Sequence, residues 1–146
     1  MSALALRNAI EADAILPIPL SPEKAVAGEI HRTKLLSAAL GRLLQVPVLD
    51  GLELTAPKGK RAATQAGQSP AAFRGDYSSL LTVPVEKLQG LKRIILVDDV
   101  CTFGNTFAAT ITALRRAGIS ADVVAASAGQ MTVRDAVRVD RAVLKV

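Results

Sequence analysis

The stretch whose residue order carries most chemistry is Ile94 to Thr106, IILVDDVCTFGNT. Four consecutive β-formers, Ile94 to Val97, read as a strand buried on both faces. They deliver two adjacent carboxylates, Asp98 and Asp99, to the strand's carboxyl end, where open α/β sheets bind ligands. Thr102 to Thr106 follows as a short loop of hydroxyls and small residues that opens onto a helix. Backbone N–H groups converge in such a loop, and the helix dipole adds positive potential, so a phosphate fits. Thr102, Asn105 and Thr106 add side-chain donors, and Gly104 allows close backbone approach. With acceptors for hydroxyls beside it, the constellation has the shape of a ribose phosphate.

Other readings of the same residues are weaker. An acidic pair after a strand can be a Walker B carboxylate, but no G-x-x-x-x-G-K-[ST] is present, and Lys58-Gly59-Lys60 lacks the flanking residues. Phospho-receiver domains carry paired aspartates near their start, whereas these stand past the middle of the chain. No G-x-G-x-x-G occurs. The purely structural reading is an ordinary helix capped by Asn or Thr after an acidic turn. Acids and phosphate loop in order on one strand–loop–helix unit favour a ligand site.

The elements that must hold this unit follow from periodicity. Ala14 to Leu20 reads as a strand running into a loop set by Pro17, Pro19 and Pro22. Apolar residues from Leu35 to Leu44 recur at helical spacing, predicting an amphipathic helix over 29–44. Pro47 to Leu49 reads as a brief strand. Thr106 to Ala117 is helical, with Phe107, Ile111 and Leu114 on one face and Gly118 at the cap. Val123 to Ala126 is a buried strand, and 133–146 a small helix followed by an edge strand. Alternating strands and helices predict a single-domain α/β fold, a mostly parallel sheet flanked by helices. Thr55 to Asp76 has no sustained periodicity and holds Lys58, Lys60, Arg61 and Arg74, so it is expected to be a mobile loop.

Composition removes several classes. At 146 residues, one domain with one core is expected. Half of the residues are apolar, which excludes disorder through lack of burial, but only 3% are aromatic. That disfavours a base-stacking platform or an aromatic sugar cleft. The net charge of +5 suits anionic partners: phosphates, nucleotides or nucleic acid. One Cys and one His exclude a disulfide framework and a Cys/His zinc site. No signal-peptide core precedes Leu20, and no apolar run reaches the roughly 18 residues of a membrane span. A cytoplasmic protein, with no membrane partner, is expected. Cys101 fits a packing role, and His31 a solvated or capping one.

Residues 96–106, LVDDVCTFGNT, resemble the phosphoribosyl-pyrophosphate motif of type I phosphoribosyltransferases: apolar strand, two acids, two spacers and a Thr-Thr-Gly-x-Thr-like loop. More of the chain is similar to the competence-associated (ComF-like) branch. Leu16 to Leu20 resembles its first strand; Arg61, Thr64, Gln65-Ala66-Gly67 and Ser69 resemble its R…T…QxGLS segment; Leu88, Gly90 and Lys92 resemble its lead-in to the motif strand. The chain departs from the pattern in three places. Phe103 stands where the family has Thr or Ser, the cysteine-rich zinc element is absent, and Lys24 to Ile30 replaces a basic Arg-Gly-Phe-Asn region.

The resemblance implies a Rossmann-like phosphoribosyltransferase core with a minimal hood. It implies transfer of ribose 5-phosphate from phosphoribosyl pyrophosphate to a nitrogen acceptor, with Mg²⁺ and release of pyrophosphate. Asp98 and Asp99 would be the catalytic acids, accepting ribose hydroxyls beside the metal. Thr102, Phe103, Gly104, Asn105 and Thr106 would hold the 5′-phosphate, with Lys24, Lys60 and Arg61 on the substrate and residues 55–76 as the lid. Thr102 replaces an Asp that serves some members as general base, so a base must come from elsewhere. A homodimer is expected. The alternative on the same fold is a non-catalytic nucleotide-sensing or nucleic-acid-associated module, and a phosphosugar or nucleotide hydrolase is a third reading.

Overall fold

The computed structural model describes residues 11–55, 67, 69–101, 104–130 and 144–145. Its main sheet is built on the aliphatic runs that the sequence marks as strands. β1 (Ala14–Pro17), β4 (Arg93–Cys101), β5 (Asp122–Gln130) and β6 (Leu144–Lys145) lie side by side in that order. Every pairing among them is parallel, with Leu16 opposite Leu96 and Leu96 opposite Ala125. The expected edge strand near the end of the chain is β6. The parallel α/β architecture is as expected.

Side chains of successive strand residues alternate between the two faces, and both faces are covered. Ala14, Leu16, Ile94, Leu96, Val123 and Ala125 pack with Phe107 and Leu114 of α5 (Asn105–Arg116). Ile15, Ile95, Val97 and Ala126 pack with Leu40 and Leu44 of α2 (Arg32–Leu44). This division has a topological cause. From β1 the chain passes through α2 and returns at Val48, which bridges to Ile15 in parallel. From β4 it passes through α5 to β5, on the opposite side. Right-handed crossovers running in opposite directions place their helices on opposite faces. The sheet therefore has a switch point between the carboxyl ends of β1 and β4.

Three boundaries differ from expectation. Helix α2 starts at Arg32 rather than residue 29, because His31 is its N-cap. Pro47 to Leu49 makes one bridge rather than a strand. There Val48 presses on α2, where a Cβ on Gly41 would stand 2.8 Å from Val48 Cγ2. Strand β4 runs on through the acids to Cys101 because Val100 and Cys101 continue the ladder against Gly129 and Gln130.

The largest correction concerns the basic stretch expected to be one mobile loop. From Pro70 it is helix: α3 (Pro70–Leu80) begins with Ser69 Oγ accepting from Ala72 N–H and with Pro70 in the first turn. Phe73 and Tyr77, one helical turn apart, pack with Leu54, Leu81, Ala109 and Ala113, which seats α3 on α5. Leu54 and Leu81 belong to a separate antiparallel pair, β2 (Glu53–Leu54) with β3 (Leu81–Thr82). Two short helices, α1 (Pro22–Val26) and α4 (Val85–Leu88), complete the described elements. Lys58, Lys60 and Arg61 lie outside the described residues, as do Thr102 and Phe103.

Candidate functional site

At the switch point, Asp98 sits on β4 opposite Ser127 of β5 and is only 7% exposed. Its Oδ1 accepts the Asp99 N–H at 2.9 Å. Asp99 Oδ1 accepts the Val100 N–H, and Oδ2 accepts from Arg32 Nε, both at 2.9 Å. Burial pushes the Asp99 carboxyl up, but its hydrogen-bonding contact with Asp98, the Arg32 guanidinium and the Val100 N–H outweigh this and hold it below the ordinary range. Asp99 is thus an ionised carboxylate with an exposed cation as its partner. Arg32, at the start of α2, was not marked as a site residue by the sequence; only the fold brings it to β4.

The loop from β1 reaches the same edge and is fastened there by His31. Leu20 N–H donates to Nε2 at 3.2 Å, and Nδ1 faces the Lys34 N–H of the helix start at 3.3 Å; a ring nitrogen that accepts requires a neutral imidazole. Nδ1 lies 2.7 Å from Thr33 Oγ1, which donates its own proton to Ile18 O at 2.8 Å. The chain of bonds needs a neutral ring. Burial lowers the His31 pKa, Lys34 lowers it further, and Asp50 and Asp99 oppose both. The expected capping role is the observed one. Beyond this fastening, α1 buries none of its residues, and Lys24 forms an exposed ion pair with Glu29 at 3.7 Å. Its marked role as a substrate ligand draws no support from that position.

On the other side of the acids, Gly104 caps α5 in the left-handed conformation, φ +70°. That conformation favours glycine at the helix start. Asn105 Oδ1 accepts from Arg74 Nη1 at 2.9 Å. Thr106 is 4% exposed, and its buried Oγ1 has no hydrogen-bond partner among the described residues. The same holds for Ser127 Oγ beside Asp98 and for Ser21 Oγ at the end of the β1 loop. Buried hydroxyls are rarely left so. Three of them border the carboxyl edge of the sheet, where an oxygen-rich ligand would satisfy them. The fold brings Asp98, Asp99, Gly104, Asn105 and Thr106 to the carboxyl edge of the sheet, with Arg32, Arg74 and Ser127 beside them. Cys101 packs in the core with Phe107, as expected.

Magnesium prefers oxygen ligands and commonly takes one or two carboxylates plus substrate oxygens. Asp98 and Asp99 fit that pattern. Among the described residues no three His, Cys, Asp or Glu side chains gather.

The chain is 31% identical over 108 residues to competence protein F of Haemophilus influenzae. The alignment covers 73% of the chain and 46% of that protein, so the chain spans about half the length of its curated relative. A purine phosphoribosyltransferase from Pyrococcus horikoshii is similar in structure, with a TM-score of 0.45 and 19% identity over 88% of this chain and 66% of that one. No protein-family model matches. Among the described residues, no helix is long and apolar enough to cross a membrane.

Proposed function

We propose that this chain, which is similar to competence protein F, binds phosphoribosyl pyrophosphate with Mg²⁺ and transfers the phosphoribosyl group to a nitrogen acceptor, releasing pyrophosphate. One observation carries the reading: paired acids and a glycine-capped helix start, with a partnerless buried Thr106 hydroxyl, meet at the sheet's switch point. Asp98 and Asp99 accept hydrogen bonds from the ribose hydroxyls, and their negative charge stabilises the cationic character that develops on the ribose ring. Asp98 and Asp99 would hold a magnesium ion, whose charge would help neutralise the departing pyrophosphate. The α5 start holds the 5′-phosphate and so fixes the reacting carbon in line.

Titration calorimetry with phosphoribosyl pyrophosphate and Mg²⁺ tests this. The wild-type chain is expected to bind at micromolar to millimolar ligand and the Asp98→Asn/Asp99→Asn variant at least about tenfold more weakly, the loss of one charged hydrogen bond. No binding by the wild type at millimolar ligand removes the proposal. A second reading, a nucleotide-sensing or nucleic-acid-associated module without turnover, is favoured by the Arg32–Asp99 pair, which occupies one of the two acids. Salt-dependent binding to DNA or RNA with no pyrophosphate released from any nucleobase would select it.

A further inference from the structure

We infer that Arg74 is a phosphate-binding residue: its guanidinium and the start of α5 hold one phosphomonoester between them. This rests on the ribose-phosphate reading above and adds the group that selects the phosphorylated ligand. The sequence placed Arg74 among the cations of a mobile loop, but the structure fixes it. Its neighbour Phe73 and the residue one turn on, Tyr77, are buried against Ala109 and Ala113, so α3 is docked on α5 on both sides of Arg74. From there Arg74 Nη1 reaches Asn105 Oδ1, the first residue of α5.

The chemistry around that contact favours a phosphate. A guanidinium presents five N–H donors in a planar fork that matches phosphate oxygens, and one of them orients Asn105. Because arginine only donates, Asn105 turns its oxygen to Arg74 and keeps its amide N–H₂ as a donor. The Ala108 N–H is bonded to Gly104 O, while those of the preceding first-turn residues have no partner within the helix. Thr106 Oγ1 adds a buried hydroxyl with no acceptor, an observation independent of the helix end. Neither α3 nor α5 has an acid in its first turn, and among the described residues Arg74 joins no ion pair. Arg74 supplies from a second helix N–H donors in place of the hydroxyl donor that the family has where Phe103 stands.

The test compares ribose 5-phosphate with ribose, titrated calorimetrically into the wild-type full chain and into the Arg74→Gln and Arg74→Lys variants. Arg74→Gln should weaken ribose 5-phosphate at least about tenfold, the loss of a charged hydrogen bond, and leave ribose binding unchanged. Arg74→Lys should recover part of the loss. Wild-type affinity should rise with pH through the second phosphate ionisation near about pH 6, and Arg74→Gln should flatten that rise. Unchanged thermal unfolding of the variants identifies the loss as one of binding. If Arg74→Gln binds ribose 5-phosphate as the wild type does, the assignment of Arg74 is overturned and the ribose-phosphate reading stands. If the wild type binds neither ligand, both are overturned.

Discussion

Two cationic elements flank the acids, and they are held by different physics. On one side, α3 presents Arg74 from a helix seated by Phe73 and Tyr77 in an apolar cluster. On the other, the β1 loop and the start of α2, which carries Arg32, are joined by two hydrogen bonds, Leu20 N–H to His31 and Thr33 Oγ1 to Ile18 O. Apolar packing is non-directional and indifferent to pH, so Arg74 keeps its place under most conditions. A hydrogen-bonded fastening specifies geometry closely but depends on where one imidazole proton sits. The two sides of the site should therefore fail in different ways.

The largest expected effect lies on the packed side. Phe73→Ala removes a buried ring between α3 and α5 and should lower unfolding stability by about 3–5 kcal/mol, read from urea denaturation. A loss below about 1 kcal/mol would show that α3 is not seated as described. On the fastened side the effect is smaller and depends on pH. His31 is the chain's only histidine, and its pKa is lowered in the folded state. The unfolded chain then binds the proton more readily, so stability is full above the unfolded value near about 6.5 and declines as pH falls through it. The lowered aspartates, Asp13, Asp50 and Asp99, act only at more acid pH, so the interval from about pH 7 to 5.5 isolates the ring. His31→Gln should flatten the urea midpoint across that interval; an unaltered slope would contradict the neutral-ring assignment. The smallest effect belongs to Arg32→Gln. With 67% of the Arg32 side chain exposed, the ion pair with Asp99 should be worth about 0.2–1 kcal/mol and less at high salt. The same variant should raise the Asp99 carboxyl towards its ordinary range in an NMR titration.

The sequence discloses the two sides unequally. Ile94 to Asp99 declares itself because a strand buried on both faces needs an unbroken aliphatic run, and acids at its end have few structural uses. Gly104 to Thr106 is legible for a similar reason, since loop and helix start are local. Helix α3 is hidden because its cap and Phe73–Tyr77 pair follow directly on a run of Lys, Arg, Gly and Gln, and averaging over that stretch erases the helical period. The Arg32–Asp99 pair and the bond from Leu20 to His31 cannot be read from local pattern, which discloses only the capping role of His31. The partners, Asp99 and Leu20, become neighbours only when β1 and β4 pair and α2 crosses behind them. The overrun of β4 to Cys101 has the same origin, since a ladder's length is set by the strand beside it.

The seating of α3 on α5 also makes occupancy a measure of order. A ligand gripped by Arg74 and the α5 start spans two elements, so its binding energy adds to the apolar contact that joins them. At a concentration one hundred times the dissociation constant the folded state gains about 2.7 kcal/mol. The gain appears as slower amide exchange in α3 and the β2–β3 pair, while the centre of β4, already inside the most protected core, changes least.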